Sequence, residues 1–297
     1  MTVLFLAYAS TVVLLLPMMV CVGVGLWWGR AAKPFSTDFV SRLVTLVAIP
    51  ALVFHTLMST ALEPGALFDV LWVSIAALLI AAVMSGLMLW ALRLPVAALG
   101  QTAWIPNAGN LGLPMAQLAF GLEGLAVALT FFAVSSFLSF TLGLRWLTGS
   151  AGKALRQPVV WAVLLALLAR SLELRPPDWV LRSTELLGKM AVPLMLITLG
   201  HALATLPKAG LKLGAWVAGV RFASGAAVAF VVLTQLGLSP LLAGPIALQL
   251  LMPCAVNSYL FARLHGTQGD ASAGAVLVST AVFVVLAPLF LWLNVAS

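Results

Sequence analysis

Charge is what this chain has least of. Asp, Glu, Lys and Arg make up 8% of its 297 residues, where a soluble domain carries about 25%. Too little polar sequence is left to clothe a water-soluble domain, and 63% of the chain is hydrophobic. Cysteine is nearly absent. Cys21 and Cys254 both lie in apolar segments and read as reduced packing residues, not a disulfide. There is no Walker A pattern, which excludes ATP as the drive. There is no HExxH, no GxSxG and no cysteine pair of metal-binding form, so the sequence offers no catalytic residues, no metal site and no cofactor site, and an enzyme is not expected. Paired aspartates of the kind a dedicated proton or sodium antiporter uses are also missing. The net charge of +7 does not point to nucleic acid, because the basic residues fall in short loops where topology explains them. No basic segment precedes the first apolar run, which is too long for a signal peptide. Residues Met1 to Trp28 therefore read as a retained first span.

What is present is a succession of apolar runs, each near the roughly 20 residues that cross a bilayer. Ten are expected, at 3–28, 38–60, 67–92, 96–119, 124–147, 157–173, 180–204, 212–237, 241–263 and 271–295. The fold class is an all-α integral membrane protein. Arg30, Lys33, Arg42, Arg93, Arg145, Lys153, Arg156, Lys208, Lys212 and Arg263 gather in the odd-numbered loops against Asp38 and Asp270, while the even ones hold Glu63, Asp69 and Glu123 and, between spans 6 and 7, a balanced mixture. By the positive-inside rule the odd loops are cytoplasmic and both termini face outward.

The two halves of the chain can be laid on each other. Pro50 and Pro193 are 143 residues apart, as are Pro64 and Pro207; Pro95 and Pro240 are 145 apart. Pro106 and Pro253, Asn110 and Asn257, and Glu123 and Asp270 are each 147 apart. Ordered matches with a slowly drifting offset imply an internal repeat, residues 1–150 followed by 151–297. A repeat of five spans is odd, so the second copy enters the membrane from the opposite side, giving a 5+5 inverted repeat.

Spans 4 and 9 are each interrupted at equivalent places, by Pro106-Asn107-Ala108-Gly109-Asn110 and by Pro253-Cys254-Ala255-Val256-Asn257-Ser258. Proline removes a backbone donor and clashes with the preceding turn. Freed backbone in hydrocarbon is tolerated only where protein or a watery cavity satisfies it. Paired broken helices in corresponding halves mark a transporter binding site. Asn107, Asn110 and Asn257 carry amides that can donate to a carboxylate, beside helix N-termini that favour an anion. The same amides could simply cap the broken ends. Pro106, Gly109, Pro253, Cys254 and Ser258 complete the candidate binding set.

Four residues are candidates for support or coupling. Arg221, well inside span 8, could face crossover carbonyls, attract the anion or snorkel to the interface. Gln101 and Gln249 lie just ahead of the two prolines and read as crossover support, with substrate contact the lesser alternative. His55 could relay protons or serve as a hydrogen-bonded scaffold residue. Ser135, Ser136, Ser139 and Thr280 could line a pathway or bond back to their own helices. Glu185 and Lys189 read as an interfacial i,i+4 pair, and His201 and His265 as interface residues.

At these residues the chain resembles the auxin efflux carrier family, which includes the plant PIN-type carriers and bacterial carriers of small organic acids. The resemblance rests on Pro106-Asn107 with Gly112-Leu113-Pro114, and on Val220-Arg221-Phe222 with Gly225. It extends to Met252-Pro253-Cys254-Ala255-Val256-Asn257, Phe261-Ala262, and Val278-Ser279-Thr280 with Pro288. It implies a scaffold of spans 1, 2, 6 and 7, often dimeric, and a moving unit of spans 3–5 and 8–10 working as an elevator. The absence of a long loop between spans 5 and 6 favours a bacterial member in the cytoplasmic membrane. The expected function is secondary active or facilitative transport of a small organic anion, a carboxylate, with efflux the direction the family implies. Proton or sodium coupling stays open. The alternatives are a sodium–organic anion symporter of the bile-acid type, and a membrane sensor that binds such a ligand without moving it.

Overall fold

The computed structural model describes residues 2–143, 145 and 156–295, with side chains from residue 15 to residue 287. Lys153, the end of the fifth expected span, the boundary at 150 and the Pro288 side chain lie outside these. All regular elements among the described residues are helical, and their single β-type pairing is an isolated bridge. Helix α1 is Thr2–Arg30. Helix α2, Thr37–Leu43, runs through a wide π turn at Val44–Ala48 into α3, Ile49–Ser59. Helices α4 (Pro64–Ala91), α5 (Val96–Trp104) and α6 (Leu113–Leu138) follow, α6 being flanked by π turns at Ala108–Gly112 and Ser139–Gly143. Then come α7 (Pro158–Ser171), α8 (Asp178–Gly188), α9 (Ala191–Thr205), α10 (Leu211–Thr234), α11 (Pro240–Leu250), α12 (Val256–Leu264) and α13 (Gly269–Val295).

Six helical stretches among the described residues are long and apolar enough to cross a membrane: Thr37–Ser59, Pro64–Ala91, Ala108–Gly143, Asp178–Thr205, Leu211–Thr234 and Gly269–Ala287. Leu15–Arg30, Pro158–Ser171 and Pro240–Leu250 are shorter apolar helices. The stretch Ala108–Gly143 is bent. Gly121 adopts φ 67° and ψ −151°, a conformation essentially open to glycine alone. A Cβ on Gly124 would lie 3.2 Å from the Ala116 carbonyl oxygen, although eight residues of straight helix would separate them by about 12 Å. The chain therefore folds back at Gly121, between the fourth and fifth expected spans.

Proline explains two other irregularities. A proline ring inside a helix clashes with the carbonyl four residues earlier. Ahead of Pro50 and Pro114 the chain relieves that clash by widening into π turns, with Ile49 N–H reaching back to Val44 O and Leu113 N–H to Ala108 O. Ahead of Pro193 the helix stops outright, between Gly188 and Ala191.

Two groups of helices pack most closely among themselves. In one, α1 lies along α9, and α3 lies against α7 and α8. The α1–α9 contact is close because Gly25 and Gly29 sit one turn apart, opposite the Ile197 carbonyl and Ala204, while Gly200 sits against the Val22 carbonyl. Small residues four apart let backbones approach in membranes. Arg170 ties this group together by donating from Nη1 to Leu57 O and Thr60 O, both at 2.7 Å, and from Nη2 to Leu62 O. In the other group α10 runs along α13 and touches α4, α5 and α11, while α6 packs on α4 and α11. Buried hydroxyls join its halves: Ser85 donates to Ser224 at 2.9 Å, and Thr102 and Ser272 share a hydrogen bond of 2.9 Å.

Candidate functional site

Helices α5 and α11 end where the sequence places the breaks, and the two breaks meet. Pro106 and Cys254 form an antiparallel bridge, in which Asn107 N–H donates to Pro253 O at 2.7 Å and Ala255 N–H to Ile105 O at 3.2 Å. Backbone groups that proline frees in one helix are thus satisfied by the other, as burial requires. Side chains finish the task. Ser279 of α13 accepts from Cys254 N–H at 3.0 Å. Arg221, fully buried, donates from Nε to Met252 O at 3.2 Å and from Nη2 to Leu250 O. These carbonyls lie at the C-terminal end of α11, where the helix dipole is negative. Of the three roles open to Arg221 in the sequence, this contact matches the bracing of crossover carbonyls.

Beside the crossover lies a cavity of about 480 Å³. Its floor is the crossover itself: Ile105, Pro106, Asn107, Gly109, Asn110 and, from the other break, Ala255, Val256 and Asn257. The first turns after Asn107 and after Ala255 give it Gly109, Asn110, Val256 and Asn257, so two positive helix ends lie against it. Asn257 is exposed to the cavity and Asn110 half-buried. Asn107 is 4% exposed and its Nδ2 has no protein partner. One wall comes from α6 and its π turn, with Phe132, Ser135, Ser136, Ser139 and Phe140. The facing wall comes from the π turn after α2, the start of α3 and α9, with Thr45, Ile49, Met195 and Thr198. The cavity therefore lies between the two packing groups. At its mouth stand Thr37, Gln157, Thr205 and Arg263, all at the ends of helices joined by the basic odd-numbered loops. Each of the three π turns contributes to the lining, in keeping with the frequent use of such turns at functional sites.

The other expected site residues stand behind this surface. Pro253, Cys254 and Ser258 are buried in the crossover and do not line the cavity; Ser258 Oγ bonds back to Ala255 O at 2.6 Å. Gln101 is buried and donates to Ser139 Oγ at 3.1 Å, bracing the α6 wall from behind. Gln249 is also buried, and its amide lies over Gly112, where any Cβ would strike Oε1. His55 sits away from the crossover, its Nδ1 3.2 Å from Leu181 O, between α3 and α8. Thr280 is buried and does not line the cavity. Glu185 and Lys189 form the expected exposed pair at 2.7 Å.

Several lining residues belong to no motif of the sequence. Thr37 and Ser41 of α2 and Thr45 of the π turn after it recur every four residues and line the cavity; that spacing was legible as a polar stripe in an apolar span. His201, near the end of α9, also lines the cavity, stacked on Phe35 with ring centroids 4.5 Å apart. Arg263, a loop charge by sequence, lines the mouth.

The profile of a family described as membrane transport protein matches residues 148–291, which hold the second break, Arg221 and Asn257. Over this stretch the chain is similar to the auxin efflux carrier family. Members of that family are membrane transporters rather than enzymes. This carrier is accordingly a multi-pass membrane protein with a small molecule as substrate. No curated relative matches the chain.

Proposed function

We propose that this carrier moves a small organic anion, a carboxylate, across the bacterial cytoplasmic membrane by alternating access at the crossover cavity. The observation that carries the reading is the floor of the cavity. Two helix N-termini and the amides of Asn107 and Asn257 converge on one space, and no Asp or Glu is among the lining residues. Such a site offers donors and a positive field without a competing carboxylate, which is what an anion needs.

The rest of the reading follows from the packing. The group around α1, α3, α7 and α9 serves as scaffold, and the group around α4–α6 and α10–α13 carries the crossover past it as an elevator. The six long helices, the fold-back at Gly121 and the shorter apolar helices compose ten spans. The paired breaks and the irregularities before Pro50 and Pro193 favour two inverted halves, 1–150 and 151–297. With the basic loops inside and both termini outside, the cavity opens to the cytoplasm, the side from which efflux loads. A homodimer built on the scaffold is the assembly the family suggests. The guanidinium of Arg221 at the α11 carbonyls weighs against a sodium ion held at that helix end, where sodium symporters use such carbonyls.

The test is a thermal-shift series on purified protein with mono- and dicarboxylates and their neutral methyl esters. A ligand that binds the native state at about 100 times its Kd adds about 2.7 kcal/mol of stability. At least one acid should raise the melting temperature while its ester does not. Stabilisation by esters as strong as by acids would remove the anion from the reading.

A further inference from the structure

The crossover supplies partial charges and amides, but the full charge in the cavity comes from another place. Among the lining residues Arg263 is the one with a permanent charge. It stands in the last turn of α12, the helix whose first turn presents Asn257. Its guanidinium is not left to wander, because Nη1 donates to the Tyr259 hydroxyl at 3.0 Å, one turn back on the same helix. Tyr259 is buried and itself lines the cavity. An exposed arginine with such a tether keeps its head group on the cavity side of α12.

No ion pair among the described residues engages that charge, although Asp270 opens α13 close by. The ion pairs among the described residues join Arg42 to Asp38 and Lys189 to Glu185, and neither includes Arg263. Asp38, which follows Thr37 at the mouth, is thereby matched by Arg42 at 3.0 Å. Gln157 and Thr205 at the same rim are neutral, and His201 adds positive charge whenever it is protonated. A solute reaching Asn257 passes one fixed cation and no free anion on the lining. Low-dielectric walls focus such a field and raise the local concentration of the opposite charge.

We propose that Arg263, positioned by Tyr259, is the residue that selects anions at the mouth of the cavity before they reach the crossover asparagines. The inference rests on the carrier reading of the cavity. It assigns sign selection to Arg263 and leaves recognition of the bound anion to Asn107 and Asn257. Arg221 takes no part in this selection, because it is buried behind the crossover and does not line the cavity.

The experiment needs no knowledge of the substrate. Asn257→Cys is treated with two methanethiosulfonate reagents of similar size, one ending in sulfonate and one in trimethylammonium. Modification at position 257 is followed by peptide mass spectrometry, and each rate is divided by the rate with a free small thiol. Residues 257 and 263 are about 9 Å apart along the helix axis, well within reach of a unit charge in a partly desolvated space. The corrected rates should favour the sulfonate. Arg263→Gln should lower that preference by roughly fivefold or more, Arg263→Lys should keep it, and Arg263→Glu should reverse it. Tyr259→Phe should lower it in part, by releasing the guanidinium. Salt at about 1 M should flatten the differences, since screening then acts over about 3 Å. An unchanged preference in Arg263→Gln overturns the inference and leaves the carrier reading standing. Failure of both reagents to reach position 257 contradicts the open cavity, and the carrier reading falls with the inference.

Discussion

Arg221→Gln should lower the melting temperature of the purified protein by roughly 6–12 °C. The guanidinium donates to two carbonyls at the buried end of α11, Leu250 and Met252. Hydrogen bonds to charged groups contribute about 1.5–3 kcal/mol each. Removing the arginine also removes the cost of keeping a cation out of water, so the net loss is about 3 kcal/mol. At a few degrees per kcal/mol that gives the stated shift. A glutamine is shorter and cannot span both carbonyls, which then remain buried without a donor. Arg221→Lys should fall between, since a lysine keeps the charge but not the planar fork. A variant that melts with the wild type would show that the crossover holds itself together without this brace.

Asn257→Ala and Asn107→Ala should act on binding instead. Asn257 faces the cavity, and its amide supports no neighbouring element that the structure shows. Asn107 holds the crossover through its backbone N–H, which alanine retains, and its Nδ2 has no protein partner to lose. Both variants should therefore fold and melt near the wild type. Each loses a hydrogen bond to a charged ligand, worth about 1.5–3 kcal/mol, so affinity for the stabilising carboxylate should fall about 10- to 150-fold. Calorimetric titration of the purified variants reads this directly. Wild-type affinity in both would move the anion away from the crossover floor.

The breaks were legible because proline and asparagine are costly in an apolar helix and stand out there. Pro106 and Pro253 marked the places where α5 and α11 stop. That the two breaks pair with each other was not legible, since Asn107 N–H and Pro253 O are brought together only by tertiary packing. The same limit applies to Arg221, for which the sequence left three roles open until Leu250 and Met252 appeared as its acceptors. Cys254 and Ser258 share the motif of Asn257, but local geometry turns them inward. The motif alone could not say which side chain faces the cavity. Arg263 was hidden for another reason. A basic residue at a loop is fully explained by topology, and only the cavity lining and the Tyr259 tether give it a second use. His201 near a helix end raised the same ambiguity, and there too only the cavity lining gives it a second use.

In the proposed mechanism the cavity floored by Asn107 and Asn257 is a route across the membrane. The most direct measurement is flux of the stabilising carboxylate through purified protein in liposomes, loaded inside and followed on dilution. Saturable efflux, well above protein-free liposomes and reduced at least about tenfold in Asn257→Ala at subsaturating substrate, is the expected result. Tight binding of that carboxylate with no flux above protein-free liposomes would contradict the account and identify the protein as a sensor of the same ligand.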